Sequence, residues 1–302
     1  MPDAAPRVTL ALSGGGSRAA AQTGMLRAFE ERGLRPDLII GASAGAVNGA
    51  WYALHPDDLE ALERVWLNLT RRLVFPGTPP TYAYNFVRHG HVHSIKGWRR
   101  VLIRSFGDAR FEACAIRMLA LAVRLRDGEV IPFRSGPIVP ALLASTSVPG
   151  LFPPQEVAGD LYVDGAVVEY LPLPTAVAER ARTVYAFDCS DYPAGDGRRG
   201  LAMDRCGQIA STAWVRLVLE AARSRGIVVH HLRPQLGPLY DARDFTHTRR
   251  LIDLGYDYAS RYLDELAIAG KADVQGPKAA AEDSEAFSSD GRRRQPATEE
   301  VS

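Results

Sequence analysis

Two apolar runs near the start of the chain, Val8–Leu12 and Leu38–Ile40, each break into a turn of small residues and then into a helix-forming stretch. The first enters Ser13-Gly14-Gly15-Gly16 and continues into Ala19–Arg32, with Met25, Leu26 and Phe29 on one side and Gly33 as a C-terminal stop. The second enters Gly41-Ala42-Ser43-Ala44-Gly45, and Ala46–Leu54 is helical in pattern. Parallel strands cannot be joined by a tight turn; they need a crossover that returns the chain to the same end of the sheet. A helix between two buried strands supplies one, so the spacing predicts parallel pairing and an α/β core.

The same signals recur downstream. Asp57–Leu69 is amphipathic, with Leu59, Leu62, Trp66 and Leu69 at helical spacing. Leu119, Leu121, Val123 and Leu125 alternate, Asp127-Gly128 turns the chain, and Val130–Phe133 completes a predicted hairpin. Leu161–Val163, Thr183–Asp188 and Ile227–Leu232 read as strands; Ala176–Arg182, Gln208–Ser224 and Thr248–Ala269 read as helices. With 46% apolar and 24% charged residues among 302, a sizeable core is expected. From about Lys271 the chain turns to Ser, Ala, Pro and charge, with Phe287 the one aromatic. Such a segment cannot bury enough apolar surface to order itself, so a disordered tail over 271–302 is expected after a single domain over 1–270.

Three short blocks can carry chemistry. Gly41–Gly45 fits G-x-S-x-G between a strand and a helix, where small neighbours permit a strained turn that projects Ser43 Oγ at a helix N-terminus. The same pattern also fits a plain turn closing a βα unit. Gly14-Gly15-Gly16-Ser17-Arg18 can offer backbone amides to an anion. It also fits a simple tight turn or, as Gly14-x-Gly16-x-x-Ala19, a relaxed dinucleotide fingerprint. That fingerprint needs an acid at the end of the second strand, where the Ser43 elbow stands instead; Asp37 lies at the strand's start. Asp164-Gly165-Ala166 follows a short strand, although Asp is frequent in turns for local reasons alone.

Taken in order, the glycine-rich strand end, the Ser43 elbow, Ala144-Ser145-Thr146-Ser147-Val148-Pro149-Gly150-Leu151-Phe152-Pro153-Pro154 and Asp164-Gly165-Ala166 resemble the patatin-like phospholipases. The resemblance covers about Val8–Leu173 strongly and extends more weakly through Asp244-Phe245-Thr246-His247 and Gly255-Tyr256 to about Leu266. It implies a three-layer α/β fold with a central mixed, largely parallel sheet flanked by helices, its catalytic core at 8–173 and C-terminal helices to about 269. It implies a lipid acyl hydrolase of phospholipase A type, with Ser43 as nucleophile, Asp164 as proton acceptor and an acyl-enzyme intermediate. Amides of Gly14, Gly15 and Gly16 would form the oxyanion hole, and Arg18 would steady that loop or the substrate anion. Gly41, Gly45 and Gly165 would support the motifs, and neither a cofactor nor a metal is implied. One departure is Ala19, where the family has Gly. A methyl there is mild at negative φ and costly at positive φ.

Two rival functions use other features. A soluble Ser-His-Asp esterase would draw on His230, His231 or His247, but in that hydrolase fold more strands precede the elbow than residues 1–43 supply. A non-catalytic lipid- or partner-binding protein would keep the fold alone.

Arg64–Gly107 contains no Asp or Glu but eight basic residues: Arg64, Arg71, Arg72, Arg88, Lys96, Arg99, Arg100 and Arg104. Trp66, Phe75, Tyr82, Tyr84, Phe86, Trp98 and Phe106 are interleaved. The segment reads either as a solvated loop and helix with acidic partners elsewhere, or as a surface for anionic lipid with aromatic anchors such as Trp98. The expected partners are therefore a lipid ester substrate and an anionic membrane in peripheral contact. Lys+Arg 36 against Asp+Glu 35 leaves a net charge of +1, which argues against a nucleic-acid binder. His89-Gly90-His91-Val92-His93 would share one strand face as metal ligands do; with no carboxylate nearby it reads as a polar or membrane-facing loop. Cys114, Cys189 and Cys206 are too scattered for a disulfide scaffold or a metal site. No apolar run reaches the roughly 18 residues of a membrane span. No basic stretch precedes the first apolar run as in a secretory signal. A cytoplasmic location with peripheral membrane contact is expected, and export without such a signal stays open.

Overall fold

Leu10, Leu12 and Ile39 point to one side of their strands and Ala11, Leu38 and Ile40 to the other, and all six are fully buried. Strands with no polar side belong in the middle of a sheet covered on both faces. The computed structural model describes residues 7–190, 202–237 and 242–268, with side chains for all of these but 202–208. In chain order the strands are β1 (Val8–Leu12), β2 (Leu38–Ala42), β3 (Arg117–Arg124), β4 (Val130–Phe133), β5 (Gln155–Val157), β6 (Asp160–Asp164), β7 (Thr183–Phe187) and β8 (Val228–Leu232). The α-helices are α1 (Ala20–Glu31), α2 (Ala44–Leu54), α3 (Leu59–Leu67), α4 (Arg71–Val74), α5 (Pro79–His89), α6 (Lys96–Phe106), α7 (Ile138–Ser145), α8 (Leu173–Ala178), α9 (Ala202–Ser224) and α10 (Thr248–Ile268).

The sheet order is β5-β6-β3-β2-β1-β7-β8, with β4 also on β3. β3, β2, β1, β7 and β8 run parallel, while β4 and β6 run antiparallel to β3. One face packs on α1, α2, α6, α7 and α10, the other on α8 and α9. This is the expected three-layer, mixed and largely parallel architecture. α1 and α10 cross at Gly24 and Gly255: a Cβ on either would run into a carbonyl oxygen of the other helix, Ile252 and Ala21 respectively.

The register around β3 positions the site. β4 pairs with Ala120–Val123 of β3, so β2, which pairs with Arg117–Leu121, and β6, which pairs with Ala122–Arg124, must share the opposite edge. β2 ends with Ala42 opposite Leu121; β6 comes from the other direction and ends with Asp164 opposite Ala122. Two strand ends thus meet head to head on adjacent rungs.

Several sequence expectations change. The helix expected at Ala176–Arg182 is α8, which starts earlier, after Pro172, and already ends at Ala178, because the chain must reverse at Arg180 (φ 59) to enter β7. α9 begins at Ala202 rather than Gln208. Arg64–Gly107 holds α4, α5 and α6, and Trp66, Phe75, Trp98 and Phe106 are core residues. Trp98 is therefore no interfacial anchor; its indole Nε1 donates to Thr146 Oγ1 at 2.8 Å. The histidine triplet is not a strand: His89 ends α5, and buried His93 hydrogen-bonds the Pro76 carbonyl at 2.9 Å. The expected tail over 271–302 and the Cys206 side chain lie outside the described residues. Among the described residues, no helix is long and apolar enough to cross a membrane.

Candidate active site

Between the last residue of β2 and the first of α2 a single residue, Ser43, turns the chain, at φ 55 and ψ −129. A non-glycine residue held there stores on the order of 1–3 kcal/mol and persists only where its surroundings over-determine it. They do so by close approach. A Cβ on Gly41 would lie 2.5 Å from Ala46 Cα, and one on Gly45 would run into the carbonyl oxygens of Leu12 and Ser13. The Ser43 amide donates to Ser145 Oγ at 3.1 Å.

Ser43 Oγ donates to Asp164 Oδ2 at 2.6 Å, across 121 residues of sequence. The other carboxylate oxygen, Oδ1, accepts the Ala166 amide at 2.8 Å. Asp164 is buried, and desolvation pushes its carboxyl up to about 7; the hydrogen bonds from Ser43 and Ala166 pull the other way. Gly165 is held where a Cβ would run into the Leu121 carbonyl. The Asp164 amide donates to the Ser147 carbonyl at 3.0 Å. The Ser145-Thr146-Ser147 block thus braces both ends of the pair, with Ser145 on Ser43, Ser147 on Asp164 and Thr146 under Trp98.

The glycine loop lies alongside. A Cβ on Gly14 would be 3.3 Å from Ser43 Cβ and 3.0 Å from Ala166 Cβ. Its amide, expected to serve the oxyanion hole, instead donates to the Tyr170 carbonyl at 3.0 Å. The Gly15 and Gly16 amides carry no hydrogen bond among the described residues. Gly16 sits at φ 58, where a Cβ would also run into the Ala242 carbonyl; that oxygen accepts the Ser17 amide at 2.8 Å. The segment just before Asp244-Phe245-Thr246-His247 thus holds the loop in place. Buried Arg18 donates from Nε to the Gly15 carbonyl at 3.3 Å, a loop-steadying contact. Ala19 has φ −66, so its methyl is accommodated without strain.

Sequence reasoning missed the layer beneath. Gln22 Nε2 donates to the Ser13 carbonyl at 2.9 Å, and Asn48 Nδ2 donates to the Ala19 carbonyl and to Gln22 Oε1, each at 2.9 Å. Trp66 Nε1 closes the network on Asn48 Oδ1 at 2.7 Å. The available signal was two amides, Gln22 and Asn48, among the small apolar residues of α1 and α2. An apolar gap lined by Val47, Trp51, Trp66, Leu69, Trp98 and Phe106 lies between α2, α3 and α6. Val47 is one helical turn beyond Ser43.

His230 and His231 lie on β8, separated from β2 and the elbow by β1 and β7. His230 is buried against Tyr185, at 4.6 Å between ring centroids. His231 Nε2 pairs with buried Asp188 at 2.8 Å, and His247 lies 3.9 Å from Asp244. Ser43 Oγ has Asp164 as its hydrogen-bond partner. Among the described residues, no three His, Cys, Asp or Glu side chains are grouped to hold a metal ion.

Comparison with known proteins places the chain in a family. The fungal protein "Lysophospholipase nte1" of Aspergillus terreus is 27% identical over 291 residues, which is 87% of this chain but 18% of that protein. An uncharacterised NTE-family protein of Mycobacterium bovis is 31% identical over 194 residues, 64% of this chain and 52% of its own length. The chain thus spans only part of the curated relatives it matches. Human GIVD cytosolic phospholipase A2 shares the fold, with a TM-score of 0.53 at 13% identity over 88% of this chain and 60% of that one. A family model described as patatin-like phospholipase matches residues 10–177, more than half of the chain, and the protein belongs to that family.

Proposed function

We propose that the protein hydrolyses carboxylic ester bonds of lipids through Ser43 and Asp164. The observation that carries this reading is the 2.6 Å hydrogen bond from a strained elbow serine to a buried carboxylate. Ser43 Oγ attacks the ester carbonyl carbon while its proton passes to Asp164 Oδ2. A carboxylate whose burial raises its pKa to about 7 is a far better base at neutral pH than an exposed one. The oxyanion is received by the amides of Gly15 and Gly16, which carry no hydrogen bond among the described residues, and by the N-terminus of α2, whose first turn carries no acidic residue. Asp164 then returns its proton to the departing alkoxide, leaving Ser43 acylated. Water attacks this acyl ester, giving its proton to Asp164, and collapse releases the carboxylic acid and restores Ser43.

The test combines a fluorophosphonate label with hydrolysis of a p-nitrophenyl ester and of micellar phospholipid. Ser43→Ala is expected to lose label and both activities by about 10³-fold or more, and Asp164→Ala to lose both activities similarly. His230→Ala, His231→Ala and His247→Ala keep activity wherever they fold. Full activity in Asp164→Ala, or its loss in one folded histidine variant, would move the assignment to a Ser-His-Asp mechanism.

A further inference from the structure

Helix α5 presents its apolar side to solvent. At 100° per residue, Phe86, Pro79, Ala83, Val87, Pro80 and Tyr84 succeed one another around a continuous arc, and all six are exposed. Tyr84 is 65%, Phe86 57% and Val87 86% exposed, and no residue of α5 is buried. The opposite side carries the helix's attachments. Tyr82 packs edge-on against His93, at 4.8 Å between ring centroids, and Asn85 Nδ2 donates to the Val92 carbonyl at 3.0 Å. The strap bearing α5 rests on the loop that follows α7. The Val92 and His93 amides donate to the Gly150 and Leu151 carbonyls at 2.9 and 2.8 Å, and Phe75 stacks on Phe152 at 5.4 Å. That loop continues from Ser145 and Ser147, which hold Ser43 and Asp164.

Charge identifies what covers this face. Arg71, Arg72, Arg88, Lys96, Arg99, Arg100 and Arg104 are all exposed, and none has an ion-pair partner among the described residues. These residues lie on α4, α5 and α6, in a segment without a carboxylate. A second copy docking symmetrically through α5 would set this unpaired basic set against itself.

We propose that α5 lies in the interface of an anionic bilayer, with Tyr84, Phe86 and Val87 entering the acyl boundary and the exposed basic residues of α4, α5 and α6 meeting anionic headgroups. Trp98, the anchor expected from sequence, is replaced in that role by these three residues. The purpose of the surface rests on the lipid-hydrolase reading, because it would bring membrane lipid to the strap that rests on the Gly150–Phe152 loop; the binding itself is measurable without any activity.

The experiment uses the full chain carrying Ser43→Ala, so that vesicles stay intact. Co-sedimentation is measured with phosphatidylcholine vesicles and with phosphatidylcholine–phosphatidylglycerol vesicles, at about 0.1 M and 1 M salt, where the screening length falls from about 10 to 3 Å. Binding is expected only to the anionic vesicles and to weaken at high salt. Replacing Arg71, Arg72 and Arg88 with Gln lowers the partition coefficient by about 100-fold, roughly five-fold per charge. Tyr84→Ser/Phe86→Ser/Val87→Ser lowers it about tenfold or more without changing the melting temperature. With Ser43 restored, the Tyr84→Ser/Phe86→Ser/Val87→Ser variant keeps p-nitrophenyl ester hydrolysis and loses vesicular lipid hydrolysis. Equal binding to both vesicle types, or undiminished binding by the Tyr84→Ser/Phe86→Ser/Val87→Ser variant, overturns the proposal. So does a dimer that the triple variant dissociates, which gives the face to a second copy. Binding that appears only after deletion of residues 271–302 also overturns it, by giving the face to the chain's own C-terminal segment. Vesicle binding with no hydrolase activity in wild type would sink the enzymatic reading and leave the surface standing.

Discussion

Asp164→Asn is expected to inactivate the protein and to stabilise it, and the size of the gain depends on pH. In the fold burial pushes the carboxyl up to about 7 from an ordinary value of 3.8, because it disfavours the charge. The folded state therefore holds the proton that the unfolded state has released between these two values. Wild-type stability attributable to this group is fully present below about pH 4 and is lost as pH rises through 7. The full interval corresponds to about 4 kcal/mol, at about 1.36 kcal/mol per tenfold. Asparagine has the same shape, still accepts from Ala166 and never ionises. All other titrating groups cancel in the difference between variant and wild type. Urea unfolding at pH 4.5, 6, 7 and 8 should give a stability difference that grows with pH toward about 4 kcal/mol and flattens above 7, near 10 °C in melting temperature. Wild-type kcat/KM for a soluble ester should rise through the same pH, since the base must be ionised to act. A stability difference that is flat across this range, or that falls with pH, would refute the argument that desolvation sets the basicity of Asp164.

Two further substitutions test the scaffold. Gly45→Ala forces a methyl onto the Leu12 and Ser13 carbonyls, so it should cost about 1–3 kcal/mol in urea unfolding and lower kcat far more than it raises KM, by tilting the Ser43 elbow. His230 is fully buried, both its ring nitrogens find no partner among the described residues, and burial lowers its pKa. His230→Phe should raise stability by about 1 kcal/mol at pH 7 and by more in acid, because the wild-type ring must stay neutral in the fold while it protonates in the unfolded chain; denaturant midpoints at pH 5 and 7 read both effects.

What the sequence determined is local. Two apolar runs with no polar side specify central strands, and turns as small as Gly14-Gly15-Gly16 and Gly41–Gly45 specify where backbone must pass close to backbone. These features depend on residues within one βα unit, so the α/β core and the elbow at Ser43 were legible. The tertiary structure alone decided how distant pieces complete the site. Asp164 reaches Ser43 because β6 takes the stretch of the β3 edge that β2 leaves free, a register no periodicity encodes. The Gly14 amide is taken by Tyr170, and Gln22, Asn48, Ser145 and Ala242 support the site from four separate elements. The same holds for the aromatics of Arg64–Gly107. An aromatic residue lowers its free energy by leaving water for either a core or a membrane, and its spacing does not distinguish the two. Packing against Thr146 buried Trp98, while the attachment of α5 through Tyr82 and Asn85 left Tyr84, Phe86 and Val87 facing outward.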